Sequence, residues 1–412
     1  MMAVDIGFSG GVLVASRQSR GRGCRCARKG GRRILANDYL RLGRLRARGE
    51  DGTLTKASAS VRLGRGIVLV VALVALALLV PPQAAARERN EYAVTPLVSS
   101  NGVTGTVVDS NLVNAWGLAA SATSPWWVAD NGADLSTLYN AAGGKVPLEV
   151  TVQAAPTGVV FNGATGSFLV GTPGATSRFI FSTEGGTING WAPGMASAAV
   201  AVDESEEGAV YKGLAIAATS SGPRLYATDF ARGVVDVYDG TWADVDTEGG
   251  FMDAMMPAGY APFGIQTIGS RIFVTFAKQG LECCDEQGGQ GLGFVDTFDF
   301  DGNLLVRVAQ HGQLNAPWGL AWAPPTFGRF SNDLLVGNFA DGRINAYEEL
   351  ANGHFEFRGY FRMSDGQPVV IDGLWALEFG HGSANNGPTD TLFFTAGPND
   401  ETEGLFGSIQ AA

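Results

Sequence analysis

Cysteine and histidine are scarce in this sequence, and their scarcity excludes two classes of protein. Of the four cysteines, only Cys283 and Cys284 lie outside the basic N-terminal part. Two adjacent cysteines cannot cross-link distant segments and lack C-x₂-C metal spacing, so a disulfide framework is excluded, whereas a vicinal disulfide and two free thiols are both open. His311, His354 and His381 show no HExxH or other paired spacing, so a zinc enzyme is not expected.

Charged residues are also few, at 17 %, and they are unevenly distributed. Residues 1–86 contain 15 Lys and Arg against 4 Asp and Glu. The net charge of the whole chain is −11, so residues 87–412 carry −22. A body this acidic repels phosphate backbones and anionic lipids but tolerates cations such as Ca²⁺. Nucleic acid is therefore not an expected partner.

The basic N-terminal part ends in the pattern of a secretory signal peptide. Arg62 and Arg65 precede the 14 apolar residues IVLVVALVALALLV, and the small-residue sequence PPQAAA ends at Ala86. Fourteen residues are too few to cross a bilayer comfortably, which favours a cleaved signal over an uncleaved anchor or a buried helix. We expect residues 1–60 to be a disordered leader, or the product of a start codon assigned too far upstream. Residues 61–86 would be the signal peptide, and the mature protein would be secreted, either extracellular or periplasmic, without a membrane span.

Glycine is abundant, with 58 residues, and it recurs at the interval typical of a repeat protein. In NAPWGLAWAP, which begins at Asn315, a bulky residue precedes a glycine and then an apolar run. The glycines that follow this pattern are Gly117, Gly158, Gly213, Gly264, Gly319 and Gly373, at intervals of 41, 55, 51, 55 and 54 residues. Each interval also holds a strand, a short turn and another strand, with the Asp-Gly and Asn-Gly turns of antiparallel hairpins.

Six copies of a three- or four-stranded meander predict an all-β fold, a six-bladed β-propeller of NHL/SMP-30-like architecture over residues 87–412. Glycine would open each innermost strand because a Cβ there would obstruct the neighbouring backbone near the axis. The last copy has only three strands, and the segment YAVTPLVS, Tyr92 to Ser99, precedes the first glycine. We expect this segment to complete blade six and close the ring, which removes an exposed sheet edge.

Longer segments carry a resemblance to a known family. The segments PWGLAWAP, LYATDF, LLVGNFADGRINAY, IDGLWALEFG and LFFTAGPNDETEGLFGSI resemble those of an uncharacterised family of secreted bacterial six-bladed β-propellers associated with PEP-CTERM sorting. The resemblance covers residues 92–409 and implies export and a propeller fold, but no activity and no catalytic residues. The chain ends in GLFGSIQAA without a PEP motif, which argues against sorting by that route.

The strand directions place the start of each innermost strand and the end of the following strand at one face, around one mouth of the central channel. The corner residues at this face are Asp130, Glu184, Asp229, Phe276, Asn338 and Ala396. Four of them, Asp130, Glu184, Asp229 and Asn338, have oxygen-bearing side chains and are candidate ligands for Ca²⁺. The alternative is that these side chains cap tight turns through local amides.

A candidate ligand pocket lies at the same face. The residues beside the repeated glycines are Trp116, Thr157, Lys212, Phe263, Trp318 and Asp372. Three aromatic rings and two opposite charges, from Trp116, Lys212, Phe263, Trp318 and Asp372, would stack a ring and orient a polar group. The alternative is packing between blades, with Lys212 paired to Asp372.

These features favour a secreted, monomeric binding or scaffold propeller that uses this face for a small molecule, a glycan or a protein. No catalytic residue is assigned, and a binding protein is preferred over an enzyme. The alternative is a Ca²⁺-dependent hydrolase or lactonase of the six-bladed propeller type. In that enzyme the metal would polarise a carbonyl group and Asp229 or Glu184 would act as the base.

Overall fold

Antiparallel β-sheet makes up most of the regular structure in the computed structural model of the chain, which describes residues 89–281 and 284–412. Helical structure in this part is limited to short turns at Asn131–Ala133, Gly328–Phe330 and Pro398–Glu401. No helix within the described ranges is long and apolar enough to cross a membrane. The predicted leader and signal peptide lie outside the described residues, as does Cys283. Cys284 is disulfide-bonded, which excludes the free-thiol alternative for that residue.

The strands form the six predicted blades. The chain begins with β1 (Tyr92–Ser99) and β2 (Val107–Val108). Blade one consists of β3 (Ala115–Ala119), β4 (Trp126–Asp130), β5 (Leu135–Tyr139) and β6 (Lys145–Thr151). Blade two begins with β7 (Pro156–Phe161), carries a small inserted hairpin of β8 (Leu169–Val170) and β9 (Ala175–Thr176), and continues with β10 (Phe179–Thr183), β11 (Thr187–Trp191) and β12 (Ala199–Asp203). Blade three has three strands, β13 (Tyr211–Thr219), β14 (Gly222–Asp229) and β15 (Val234–Asp239).

The second half of the ring follows the same plan. Blade four consists of β16 (Tyr260–Ile268), β17 (Arg271–Lys278), β18 (Phe294–Phe298) and β19 (Leu304–Gln310). Blade five consists of β20 (Pro317–Trp322), β21 (Leu334–Asn338), β22 (Ile344–Glu349) and β23 (Phe355–Tyr360). Blade six has β24 (Leu374–Phe379), β25 (Leu392–Ala396) and β26 (Leu405–Ala411), and β1 and β2 complete its sheet.

The innermost strands pack so closely around the axis that glycine is required at the predicted position. Each of these strands contacts the innermost strand of the next blade, and the ring closes between β24 and β3. A Cβ added at Gly158 would lie 2.6 Å from the backbone nitrogen of Leu214 in the next blade. A Cβ at Gly213 would lie 2.8 Å from the carbonyl oxygen of Phe263. These contacts confirm the reason given for the repeat.

The position predicted for the repeat glycine of blade six is wrong by three residues. In blade five, Trp318 and Gly319 follow the first residue of β20, and in blade six Trp375 and Ala376 follow the first residue of β24. Both first residues pair with the last residue of the following strand, so the two positions are equivalent. Gly373 lies instead in the turn that enters β24, where its φ of +63° suits glycine. A turn glycine next to a strand was thus mistaken for the glycine of the repeat.

Hydroxyl side chains of the second strands join neighbouring blades near the axis. Thr228 accepts a hydrogen bond from the backbone of its own blade at 2.7 Å and donates one to the Phe263 carbonyl of the next blade at 2.7 Å. Thr395 accepts from the N–H of Ala376 at 3.1 Å and donates to the carbonyl of Trp116 in blade one. The last bond crosses the point at which the ring closes.

The N-terminal strand closes the ring, as predicted. β1 pairs with β26 in antiparallel fashion along its length, with a β-bulge between Pro96 and Val98, and becomes the fourth strand of blade six. Its first residue, Tyr92, is buried, and its ring stacks on Phe361 with centroids 4.0 Å apart. The Tyr92 hydroxyl donates to the carbonyl of Phe327 and accepts from the N–H of Phe330, both at 3.2 Å.

A second closure lies nearer the axis, in the loop of residues 380–391 that follows β24. Asn386 is fully buried, and its amide donates to the carbonyls of Ser121 at 2.9 Å and Ser124 at 3.1 Å in blade one. Its carbonyl oxygen accepts from the backbone N–H of His381 at 3.2 Å. These hydrogen bonds join the loop to blade one and hold His381 at the end of the channel where the innermost strands finish.

Candidate functional site

Four of the five predicted pocket residues meet at the upper mouth, which we define as the end of the channel where the innermost strands begin. Trp116, Lys212, Phe263 and Trp318 are all buried there. Trp375, which the sequence interpretation missed, lies among them. Its ring centroid is 4.1 Å from that of Trp116, 5.9 Å from that of Phe263 and 5.8 Å from that of Trp318. Together with Phe339, stacked on Trp375 at 4.0 Å, these rings form what we call the aromatic plug.

Asp372 takes no part in the plug. It is exposed, and its carboxylate accepts a hydrogen bond from the backbone N–H of Asn399 at 2.9 Å. The error follows from the misplaced repeat in blade six, because the true equivalent of Trp116 is Trp375. Thr157, at the equivalent position of blade two, is buried and donates to the carbonyl of Tyr211 at 2.9 Å. The packing alternative thus describes the upper mouth better than an open pocket does.

Lys212 carries a buried positive charge inside the upper mouth, and its partner is not the predicted Asp372. Its side chain is only 1 % exposed, and Nζ lies 2.5 Å from Glu184 Oε1 and 3.7 Å from Asp285 Oδ1. The ammonium group also lies 4.9 Å from the centre of the Trp116 ring. Burial alone would lower the pKa of Lys212, but the negative charges of Glu184, Glu286 and Asp285 outweigh burial and raise it. Lys212 is therefore a charged part of the plug.

The four candidate calcium ligands make separate contacts. Asp229 accepts from the backbone N–H groups of Val210 and Arg232, both at 3.1 Å, and forms an ion pair with the Arg232 guanidinium. Asn338 accepts from the backbone N–H of Asn315 at 3.1 Å. These contacts are those of the turn-capping alternative.

The other two candidate ligands are also engaged. Asp130 accepts from the N–H of Thr137 at 2.8 Å, and complete burial raises its pKa well above the usual value. Glu184 is paired with Lys212 and accepts from the Asn131 amide at 3.1 Å. Within the described ranges no group of three or more His, Cys, Asp or Glu side chains is placed to hold a metal ion. Calcium binding stays a prediction.

The opposite end of the channel, which we call the lower mouth, contains an open cavity of about 260 Å³. We call this cavity the lower chamber. Most of the residues that line it are apolar: Leu118, Ala119, Ala120, Val159, Val160, Phe161, Ala215 and Ile216. Gln266, Thr267 and Glu378 contribute the polar surface. A smaller cavity of about 30 Å³, also lined by Glu378, lies between the chamber and Trp318 of the plug.

Two of these polar residues occupy a position of the repeat that is otherwise small and apolar. In each innermost strand one position touches the next blade, and it is occupied by Gly264 in blade four and by Ala376 in blade six. Gln266 and Glu378 each lie two residues after this position. The position of Gln266 and Glu378 is occupied by Ala119, Val160, Ala215 and Ala321 in the other blades. This departure from the repeat is a signal that the sequence interpretation did not use. A long polar side chain that replaces alanine beside a channel needs an explanation other than packing.

The polar groups of the lower chamber are mostly without partners in the part of the chain that the structure describes. Glu378 Oε1 lies 3.1 Å from His381 Nε2, and Oε2 makes no hydrogen bond there. The Gln266 amide makes none either, and the Thr267 hydroxyl is buried without a partner. Gln266 and Glu378 are partly exposed at the chamber, so their free polar atoms can contact a molecule that enters it, whereas the Thr267 hydroxyl is fully buried and cannot.

The Glu378–His381 pair holds a proton. His381 Nδ1 lies 3.1 Å from the carbonyl oxygen of Ser121, which only accepts, so Nδ1 carries a hydrogen. The contact between Nε2 and Glu378 Oε1 then needs a second hydrogen, on either the ring or the carboxyl group. Burial raises the pKa of Glu378 above its usual 4.5, against the lowering effect of His381. The hydrogen bond to Glu378 raises the pKa of His381 above its usual 6.5, although burial lowers it.

These raised pKa values predict how the free energy of unfolding depends on pH. A group whose pKa is raised on folding stabilises the fold while it is protonated, and this contribution is lost as the pH rises through the folded-state pKa. Both groups act in this direction. The free energy of unfolding of wild type should therefore fall relative to that of Glu378→Gln as the pH rises from 4.5. The fall should continue until the pH exceeds the raised pKa of His381. The loss is about 1.4 kcal/mol for each pH unit by which folding raises a pKa of the pair.

Urea unfolding of both proteins between pH 4 and pH 9 measures this difference. Glu356→Gln, which changes an exposed glutamate of β23, is the matched control and should follow wild type at every pH. Parallel curves for wild type and Glu378→Gln would show that the pair does not retain its proton.

Comparison with known proteins gives relatives without an assigned activity. No family model matches the chain. The chain is 30 % identical over 352 residues to "Uncharacterized protein R648" of Acanthamoeba polyphaga mimivirus, which covers 80 % of this chain and 83 % of that protein. It is also 30 % identical over 341 residues to "Uncharacterized protein L690" of the same virus, covering 77 % and 85 %. These relatives are viral and do not bear on the association with PEP-CTERM sorting.

Solved structures of similar shape share little sequence with the chain. A virginiamycin B lyase from Staphylococcus aureus is 11 % identical, with a TM-score of 0.41, and the match covers 78 % of this chain and 100 % of that one. A protein of unknown function from Bacteroides thetaiotaomicron is 9 % identical, with a TM-score of 0.48, covering 78 % and 77 %. At these values nothing about activity follows from the similarity.

Proposed function

We propose that the propeller binds a small molecule in its lower chamber. The chain belongs to the same family as these uncharacterized mimivirus proteins. The observation that carries the proposal is that Gln266 and Glu378 have polar atoms at that chamber without partners in the part of the chain that the structure describes. Both residues line a cavity of about 260 Å³ whose other side chains are mostly apolar. A few oriented polar groups in an apolar concavity are the usual composition of a ligand site.

The two ends of the channel differ in what they offer a ligand. At the upper mouth the aromatic plug is buried and the charge of Lys212 is already neutralised by acidic neighbours. At the lower mouth the chamber is open, and Glu378 Oε2 makes no hydrogen bond within the described ranges. A ligand can therefore enter from below without displacing the plug. We therefore keep the binding function predicted from the sequence as a proposal and assign it to the opposite face.

A melting-temperature screen tests this function while the ligand is still unidentified. Small metabolites of varied charge are added to wild type, and compounds that raise the melting temperature are retested on Gln266→Leu. We expect true ligands to lose most of their stabilisation in this variant, because stabilisation follows the ligand concentration relative to Kd. Gln153→Leu, which changes an exposed glutamine, is the matched control and should respond as wild type does. Ligands that stabilise all three proteins equally would place binding elsewhere.

We also propose that the propeller is exported before it acts, and this proposal is supported by the sequence alone. The apolar run that ends at Val80 and the small residues Ala84 and Ala86 fit a signal peptide and its cleavage site. Cleavage after Ala86 would leave Arg87 as the first residue of the mature protein. N-terminal sequencing of the exported protein checks this, and recovery of residues from the first 55 would count against it.

A further inference from the structure

We infer that the lower chamber binds the ammonium group of a small aliphatic primary amine, with Glu378 and Gln266 as its hydrogen-bond acceptors. The inference rests on the proposed function, since it requires a ligand in the chamber, and it adds the chemical class of that ligand. It is carried by the type of the unpartnered groups, by the side chains that line the chamber and by the proton held at its edge.

The polar groups match an ammonium ion in character. A primary ammonium group has three N–H donors and no acceptor. The chamber offers two side-chain acceptors, the carboxylate of Glu378 and the amide oxygen of Gln266. A carboxylate or phosphate ligand would bring a second negative charge towards the Glu378 carboxylate, and their repulsion is strong in surroundings of low dielectric constant. A neutral alcohol has a single O–H donor and gains no attraction from the charge of Glu378.

The rest of the chamber suits a short hydrocarbon chain. The other side chains that line it are mostly apolar, with those of Phe161 and Ile216 among them, and no Lys or Arg lines it. Its volume of about 260 Å³ is just below the range of about 300–1,000 Å³ in which drug-sized ligands bind. The net charge of −22 over residues 87–412 raises the concentration of cations near the surface. Size, walls and charge all favour a small organic cation.

Binding of an ammonium ion to Glu378 is coupled to release of a proton from the Glu378–His381 pair. Within the described ranges, no ionisable group other than His381 acts on the Glu378 carboxyl, and none other than Glu378 acts on the His381 ring. When an ammonium ion binds Glu378 Oε2, its charge disfavours the proton that the pair shares. The pair then loses this proton to solvent: protonated pair plus ammonium ion gives deprotonated pair with bound ammonium ion plus one H⁺. We therefore expect affinity to rise as the pH increases from 6 to 8.

The experiment uses three probes of equal length: butylammonium, butan-1-ol and butyrate. Calorimetric titration into wild type should show butylammonium binding at least tenfold more tightly than the other two. Glu378→Gln should weaken butylammonium binding at least tenfold, whereas Glu356→Gln should leave it unchanged. If Glu378→Gln does not fold, Gln266→Leu serves instead, with a several-fold loss expected.

Proton release is measured separately, by pH-stat titration of unbuffered protein with butylammonium chloride at pH 6.0. We expect release that approaches one proton per bound amine in wild type and a different number in His381→Gln, where the Glu378 carboxyl alone can release a proton. Tighter binding of butyrate or butan-1-ol, lost in Gln266→Leu, would overturn the amine assignment and leave the binding function intact. Absence of binding by all three probes, together with no ligand from the metabolite screen, would overturn both.

Discussion

Removal of β1, residues 92–99, is expected to leave the protein without a stable folded monomer. β1 is the fourth strand of blade six and pairs with β26 from end to end. Its loss would expose the N–H and C=O groups of β26 as an open sheet edge, which invites pairing between chains. Size-exclusion chromatography with light scattering should show aggregates, or an expanded chain, in place of the monomer. A truncated monomer with an unchanged melting temperature would show that β1 does not close the ring.

The single substitution Tyr92→Ala tests the same closure with the strand in place. The Tyr92 ring stacks on Phe361, and its hydroxyl joins Phe327 and Phe330 of blade five. Loss of a buried aromatic side chain costs about 3–5 kcal/mol of the free energy of unfolding, because a cavity remains. Thr95→Ala, at an exposed position of the same strand, is the matched control and should cost less than about 0.5 kcal/mol. Equal effects in urea unfolding would contradict a specific role for Tyr92.

The second large effect is expected from Glu184→Gln, which leaves the positive charge of Lys212 inside the upper mouth without its closest partner. Lys212 is 1 % exposed, whereas Glu184 is 30 % exposed and Asp285 63 % exposed. Removal of one partner of a buried ion pair costs about 3–5 kcal/mol, and the partial exposure of Glu184 places the expected loss near the lower limit. The free energy of unfolding at pH 7, from urea titration, measures it.

A double-mutant cycle separates the charge from the packing. Lys212→Met removes the buried cation and leaves Glu184 and Asp285 free to contact water, so its cost should be smaller than that of Glu184→Gln. Lys212→Met combined with Glu184→Gln should be about as stable as Lys212→Met alone. If the double variant lost the sum of the two single effects, the pair would not be coupled, and Lys212 would be held in the plug by packing only.

The repeat made most of the fold predictable from the sequence. The close approach of innermost strands demands glycine at Gly158 and Gly213, so spacing alone located five blades. Tyr92 to Ser99 was recognisable as the closing strand because a three-stranded last blade leaves an open edge. Blade six was misplaced because Ala376 occupies the glycine position, and a turn glycine, Gly373, lies three residues earlier. A repeat recognised by glycine alone is missed in a blade where the space between strands accommodates the methyl group of alanine.

The site was less predictable, because it depends on contacts between distant parts of the chain. The sequence interpretation located the upper mouth and four residues of the plug, but it could not show that Trp375 fills the centre. Gln266 was visible as a polar departure from the repeat, but Glu378 was not, because the misplaced Gly373 puts Trp375 at the equivalent position. By contrast, the position of His381 depends on Asn386, which bonds to carbonyl groups in blade one more than 250 residues earlier. No local pattern records such a contact.

The two mouths of the channel thus have different physical roles. Trp116, Trp318 and Trp375 pack at the upper mouth with Lys212 paired among them, so this end stabilises the ring. At the lower mouth, Glu378 remains next to an open chamber although burial disfavours its charge. A group that is kept at a cost in stability is typical of a functional position.

Ligand binding in the lower chamber is tested most directly by crystal structures of the protein soaked in butylammonium chloride and in the strongest compound from the metabolite screen. We predict electron density for the ligand inside the chamber, with a donor atom within hydrogen-bonding distance of the Glu378 carboxylate and the Gln266 amide oxygen. The same soak of Gln266→Leu crystals should show lower occupancy. Chambers that contain only water after both soaks, with ligand elsewhere or absent, would contradict the proposed function.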